Sequence, residues 1–247
     1  MIHTLRILVF SILEKHFTIN KELYVMMEMK QLYFALLKHR EISIKDLSEL
    51  LGLNERTLYS RIKELRKYIT IVDDKIILGD PLSFAIQLLK QGYSFKDVTK
   101  YLDWHDFERF SAEILGAHKY FVKTNFRLTK PVRLEIDVIG VDMGSGRGIF
   151  IDCKHWIHGI GRKTLMGIAE KHFERVKKFI KHYSWAKPKW TYFRYLRKIV
   201  PLIVTLTTPS IRMYENVLIV SIQELNSTLL DLDMVLDLFG IEPIPVS

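Results

Sequence analysis

Between residues 135 and 154 the chain reads "EIDVIGVDMGSGRGIFIDCK", and Asp137, Asp152 and Lys154 stand inside two apolar runs that otherwise describe buried strands. A hairpin turning at Gly144-Ser145 opposes Asp137 to Asp152 and Glu135 to Lys154. The side-chain period of two then places all four on one side of the sheet and leaves Ile136, Val138, Ile149, Ile151 and Cys153 as the core side. Directly opposed Cβ atoms lie about 4.5–5.5 Å apart, so two carboxylates so placed repel, and in a dry site one takes up a proton. A divalent cation offsets the repulsion, and carboxylate oxygens are the hard ligands that Mg²⁺ or Mn²⁺ prefers. Lys154 can then position or help deprotonate a water, or stabilise charge on a phosphate. The plainer alternative is a Glu135–Lys154 structural ion pair with Asp152 at a wet strand end.

The elements around this pair describe a mixed α/β domain, one sheet covered by helices. From residue 106 the order is a helix ("DFERFSAEILGAH"), three strands ("YFVKTNFRL", "RLEIDVIGV", "IFIDCKHW") and a basic helix over about 162–183. Two more strands ("IVPLIVTL", "NVLIVSI") and a helix ("QELNSTLLDL") follow, and a Pro-rich tail "GIEPIPVS" gives a soft ending. Gly144, Gly146 and Gly148 fit the hairpin turn. Cys153, the one cysteine, excludes an internal disulfide framework, and as a core-facing thiol it is a poor nucleophile. "GIGRKT" at 159–164 lacks the Gly-Lys-Ser/Thr order of a P-loop. His155, His158 and His172 make no zinc spacing; His155 is either a base or phosphate contact or a polar strand end.

Charge singles out one stretch. Residues 154–198 hold 13 Lys/Arg against 2 Asp/Glu, whereas residues 199–247 hold 1 against 6, so the net +9 is concentrated directly after Lys154. The helix from Arg162 carries an inner stripe of Leu165, Ile168, Ala169, Phe173, Val176 and Ile180. Arg162, Lys163, Lys171, Arg175 and Lys178 are thereby left as candidates for backbone phosphates.

The amino-terminal third has a different logic. Residues 1–40 read as one or two helices, with Met26, Met27 and Met29 as packing filler. Ser43 caps a helix bearing Ile44, Leu47, Leu50 and Leu51 and stopped by Gly52; Asn54 caps a second bearing Leu58, Ile62 and Leu65. A hairpin "ITIV"–Asp73-Asp74–"KIIL" follows, which makes a winged helix-turn-helix. Its outward reading set is Arg56, Thr57, Tyr59, Ser60 and Lys63, suited to DNA, with a protein-contact role as the alternative. The expected organisation is 1–80 winged helix, 81–103 helical connector and 104–247 catalytic domain. "MIHTLRILVFSILEKHF" is interrupted by Arg6, Ser11 and Glu14, so neither a membrane span of roughly 18 residues nor a signal peptide is expected, and the cytoplasm is the expected location.

"EID" followed by "IFIDCKHW" resembles the acidic and D/E-x-K motifs of PD-(D/E)xK nucleases, the Mrr-type restriction endonucleases and their archaeal counterparts in particular. "WHDFERFSAEIL" is similar to the helix that opens that fold, and "PLIVTLTT" and "VLIVSIQELNSTLLDL" to its later strands and last helix, so the resemblance covers about 104–232. It implies a restriction-endonuclease-like sheet domain and Mg²⁺- or Mn²⁺-dependent hydrolysis of DNA phosphodiesters. Carried over, Asp137 and Asp152 are metal ligands, the Cys153 carbonyl a further one, Lys154 the catalytic lysine and Glu108 the helix acid, with Glu113 as its alternative. Mrr-type enzymes often have Gln where Asp152 stands. Restriction or repair cleavage is the first expectation, with Holliday-junction or flap cleavage as a variant. A non-catalytic winged-helix regulator is the rival, and cutting both strands makes a homodimer plausible.

Overall fold

The computed structural model describes residues 24–246; the helical expectation for the first 23 residues lies outside them. The chain divides into two compact units, one ending at Tyr93 and the other running from Ser94.

In the first unit residues 24–39 form α1, followed by β1 (Glu41–Ser43), α2 (Ile44–Leu51), α3 (Glu55–Ile62), β2 (Ile69–Val72), β3 (Lys75–Leu78) and α4 (Pro81–Lys90). Local chemistry fixes each boundary. The Asp46 amide donates to Ser43 Oγ (3.0 Å) and the Thr57 amide to Asn54 Oδ1 (2.9 Å), while Gly52 ends α2 at φ 63°, a left-handed conformation that costs glycine little. Asp73 and Asp74 both have positive φ, as a tight primed turn between β2 and β3 requires. β1, which sequence patterning does not reveal, adds to this pair in the order β1-β3-β2. The core gathers Leu36, Leu47, Leu58, Ile62, Leu65 and Ile76.

Two expected core groups are displaced. Leu50 is exposed, because the buried side of α2 runs through Ile44, Leu47 and Ser48, whose hydroxyl donates to the Leu53 carbonyl (2.9 Å). Met26 and Met27 are exposed as well, since the buried side of α1 passes through Leu32, Ala35 and Leu36.

The second unit contains α5 (Phe95–Thr99), α6 (Trp104–Ala117), β4 (Phe121–Leu128), β5 (Leu134–Val141), β6 (Arg147–Lys154), α7 (Arg162–Lys181) and α8 (Tyr183–Ala186). After them come β7 (Lys198–Thr205), β8 (Met213–Tyr214), β9 (Val217–Ser221), α9 (Ile222–Leu230), α10 (Leu232–Phe239) and β10 (Ile244–Pro245). One mixed seven-stranded sheet runs β4-β5-β6-β7-β9-β8, with β10 on β7, so the expected soft tail is part of the sheet. β6, β7 and β9 are parallel neighbours and the remaining pairs are antiparallel. α6 packs on β4, β5 and β6, and α9 on β7 and β9, whereas α7 packs with β5, β7 and β9. The protein is thus an α/β chain, a helical winged-helix part plus a mixed sheet flanked by helices.

The β5–β6 register is the one the hairpin predicts, Val138 opposite Ile151 through Val141 opposite Gly148. Asp142 holds the turn by accepting the Gly144 amide (3.0 Å) and the Ser145 amide (3.1 Å), and Gly146 takes φ 69°. Gly148 has another cause: a Cβ there would meet Leu196 Cδ1 at 2.4 Å, so packing rather than the turn demands the missing side chain.

Candidate active site

The ladder between β5 and β6 stops at Val138–Ile151, one position before the acids. There the Asp137 carboxylate replaces backbone, Oδ2 accepting the Cys153 amide at 2.8 Å. The strict alternation expected along β5 also breaks here. Phe126 and Phe150 both contact the ring of Phe179 on α7; Ile136 is paired to the first and Ile139 to the second. Ile136 and Ile139 therefore face the same helix although three residues apart, which corrects the placement of Ile136 with Val138. Asn125, across from Asp137 on β4, has φ 50° and absorbs the matching distortion.

This break separates the four polar residues that a flat ribbon would put together. Glu135 is matched to Arg127 on β4, with an ion pair at 2.8 Å, and not to Lys154. Lys154 instead places Nζ 2.7 Å from Asp152 Oδ2 and 3.2 Å from the Cys153 carbonyl. Arg175 of α7 donates to Asp152 Oδ1 at 2.7 Å. Arg175 is thus engaged at the carboxylate rather than free for phosphate, a long-range contact that sequence spacing does not disclose. Asp152 is almost fully buried. Burial alone pushes its carboxyl up, but surrounding positive charge reverses this and holds it below the usual range. His172, buried with Nε2 against the Phe150 carbonyl (2.9 Å), is pushed down to about 4 by its burial, so near neutral pH the cations on Asp152 are Lys154 and Arg175.

The opposite condition holds at Glu108. It lies on α6, whose start is fixed by a reciprocal Asp103–Asp106 capping box, and it is only 1% exposed. Neither of its carboxylate oxygens has a well-formed hydrogen bond. Burial first and the nearby Asp137 charge second push it up to about 7, with Asn125 and Lys154 opposing. Asp137 is raised too, by burial and then by Asp152, against the Cys153 amide. Glu108, Asp137, Asp152 and Lys154 therefore share one electrostatic neighbourhood. Among the described residues no three His, Cys, Asp or Glu side chains stand close enough to hold a metal ion as placed.

The neighbours sort clearly. The Cys153 thiol lies 3.6 Å from Ser111 Oγ and is pushed far up by burial, which suits a core group. His155 is half-buried against Phe107 at 5.5 Å, and burial holds its imidazole below the ordinary range. On α7 Arg162, Lys163, Lys171 and Lys178 are exposed. An open cleft of about 630 Å³ joins Lys154 and Arg175 to Lys171 and Lys178, with Glu170 and Glu174 also on its wall. The inner stripe of α7 additionally contains His172 and Phe179, both buried. In the first unit Arg56, Tyr59, Ser60 and Lys63 are exposed and Thr57 partly so.

Residues 29–68 match the winged helix-turn-helix DNA-binding family. The first unit carries a winged helix-turn-helix DNA-binding domain. No curated protein sequence matches the chain. Among solved structures it is similar to a protein of unknown function, AF1548 (22% identity, 42% of this chain and 48% of that one, TM-score 0.28). It is also similar to protein VC1899 from Vibrio cholerae (12% identity, 85% and 56%, TM-score 0.34). A third match is restriction endonuclease FokI (13% identity, 85% and 45%, TM-score 0.34). The chain spans about half the length of these proteins, and similarity at this level carries no argument about its activity. Among the described residues no helix is long and apolar enough to cross a membrane.

Proposed function

We propose that the second unit is a metal-dependent deoxyribonuclease of the PD-(D/E)xK, Mrr-like kind, brought to DNA by the winged helix. The observation that carries this reading is Glu108: a buried acid with no well-formed hydrogen bond on either oxygen, only Asn125 nearby to support its charge, and Asp137 close enough for their charges to oppose each other. An orphaned carboxylate costs stability unless something answers it, and such oxygens are hard donors that fit Mg²⁺ or Mn²⁺. Glu108 and the oxygen of Asp137 not used by the Cys153 amide are the groups that would hold the ion. Asp152 and the Cys153 carbonyl, both engaged by Lys154, join them only if that contact is released. A divalent cation held there supplies Lewis acidity that lowers the pKa of water towards about 7 and offsets charge on a phosphate. Asp152 and Arg175 orient Lys154, whose ammonium steadies the attacking water and the developing negative charge. Lys171 and Lys178, on the wall of the same cleft, hold the flanking backbone phosphates.

A second reading, a winged-helix regulator without catalysis, is favoured by one observation. Lys154 and Arg175 already neutralise Asp152, so repulsion between the strand acids does not by itself call for a cation. Plasmid cleavage in Mg²⁺ or Mn²⁺ decides between them. Lys154→Ala is expected to slow cleavage at least about 100-fold, the usual scale for a positioned proton-transfer or charge-stabilising group, while DNA affinity in chelator changes little. Equal nicking by wild type and variant removes the enzyme reading. Cleavage of both strands by one assembly would call for two copies of the chain.

A further inference from the structure

Two large indoles stand open to solvent beside the carboxylate site: Trp104 is 48% exposed and Trp156 38%, and the adjoining Ile157 is 52% exposed. They come from different elements. Trp104 is the first residue of α6 and lies one turn before Glu108 on the same helical face. Trp156 follows Lys154 by two residues at the end of β6, its amide donating to the Lys154 carbonyl (3.0 Å). His155 ties the two together. Its ring meets Phe107 of α6 at 5.5 Å, and its imidazole senses the carboxylates of Asp103 and Asp106, one residue before Trp104 and two after it.

Exposed tryptophan forfeits a large burial gain, so two on elements joined by the His155–Phe107 contact mark a contact surface. The charge alongside indicates the occupant, because the chain continues from Trp156 into the exposed Arg162 and Lys163 and then into the Lys171–Lys178 wall. A positive track with aromatic rings at its head is the arrangement that binds unpaired nucleobases, since every base offers a π-face and the backbone supplies the charge. Paired bases in an undistorted duplex are stacked on one another and offer no such face.

We infer that Trp104 and Trp156 stack on unpaired bases, so that the DNA taken at this site is single-stranded or locally opened. Their placement at the cut rests on the nuclease reading above; the stacking itself does not. Full-length wild type and the variants W104A, W156A, W104A/W156A and W104F/W156F are titrated in chelator against three fluorescent ligands. These are an oligothymidylate, an abasic strand of the same length and a duplex. Wild type is expected to bind the oligothymidylate about tenfold more tightly than the abasic strand, as loss of base stacking predicts. The double alanine variant loses that preference, the double phenylalanine variant keeps most of it, and duplex affinity stays within about twofold throughout. The single alanine variants, each removing one half-exposed ring, carry the test if the double variant does not fold. Equal binding of base-bearing and abasic strands by wild type overturns the inference. So does an alanine loss that falls equally on strand and duplex, which would assign the rings to a protein contact or to general packing. Because the readout uses no metal, an inactive enzyme with intact base preference sinks only the nuclease reading, and cleavage by a wild type that shows no base preference sinks only this one.

Discussion

Glu108 and Glu224 are the same residue type in the same unit, on helices that pack together, and their surroundings treat them in opposite ways. Glu224 receives a forked pair of hydrogen bonds from Arg212 (2.6 and 2.7 Å) and the amide and hydroxyl of Ser221 (3.0 and 2.6 Å). These donors, Arg212 foremost, pull it down to about 2. Glu108 has only Asn125 and the more distant Lys154 to oppose its burial, and is pushed up to about 7. One acid is answered by the fold and stabilises it; the other is left open, at a cost, where a ligand could answer it. Burial is nearly complete at Glu108 and only partial at Glu224, and the donors supplied widen the difference.

Three substitutions and a titration break or sharpen this contrast. The largest expected effect is on cleavage, where Glu108→Gln keeps the shape but removes the charge and slows metal-dependent hydrolysis about 100-fold or more. The same change leaves thermal stability unaltered or raised, because a neutral amide is cheaper to bury than an unpartnered acid. A marked fall in melting temperature would show that Glu108 is structural. Arg175→Ala strips one cation from buried Asp152 and is expected to cost about 1–3 kcal/mol in denaturant unfolding, below the figure for a fully buried pair since the guanidinium is partly exposed. Indifference there would mean that Lys154 suffices. Glu224→Gln is expected to cost about 1 kcal/mol, a modest figure because both partners are over a third exposed.

The smallest effect is a pair of opposing pH slopes, read in metal-free buffer. Glu224 sits below its ordinary 4.5 when folded, so its contribution is present above that pH and is lost as pH falls towards 2. Glu108 sits above 4.5, so the folded state binds the extra proton and stability declines as pH rises from 4.5 to about 7. Glu108→Gln removes only the upper slope and Glu224→Gln only the lower.

How legible the molecule is from its residues depends on how local each cause is. Ser43, Gly52, Asn54 and Asp73-Asp74 act within a few positions, and the winged helix follows from them. The β5–β6 register was readable for the same reason, because Asp142 and the turn set it. The face of each side chain beyond Val138 was not, since a run such as "LEIDVIGV" is apolar at both parities and conceals where alternation slips. Asn125 inside a strand pattern was the one available sign. The Asp152–Arg175 contact joins positions 23 apart through packing of α7, and no spacing rule reaches it. The clustering of Glu108 with Asp137 rested on family resemblance alone, and their charges do oppose each other in the structure.

The slip in alternation at Asn125 and Asp137 works as a crease across a folded sheet of paper. On one side of it Ile136 meets α7, on the other Ile139 does, and the acid on the fold line is tipped towards neither surface alone. A chemical group that must be felt from both helix layers at once cannot stand on an uncreased ribbon, which has a top and a bottom and nothing between. Any attempt to transplant this meander into a smoother scaffold would have to carry the crease with it, or lose the edge on which its chemistry sits.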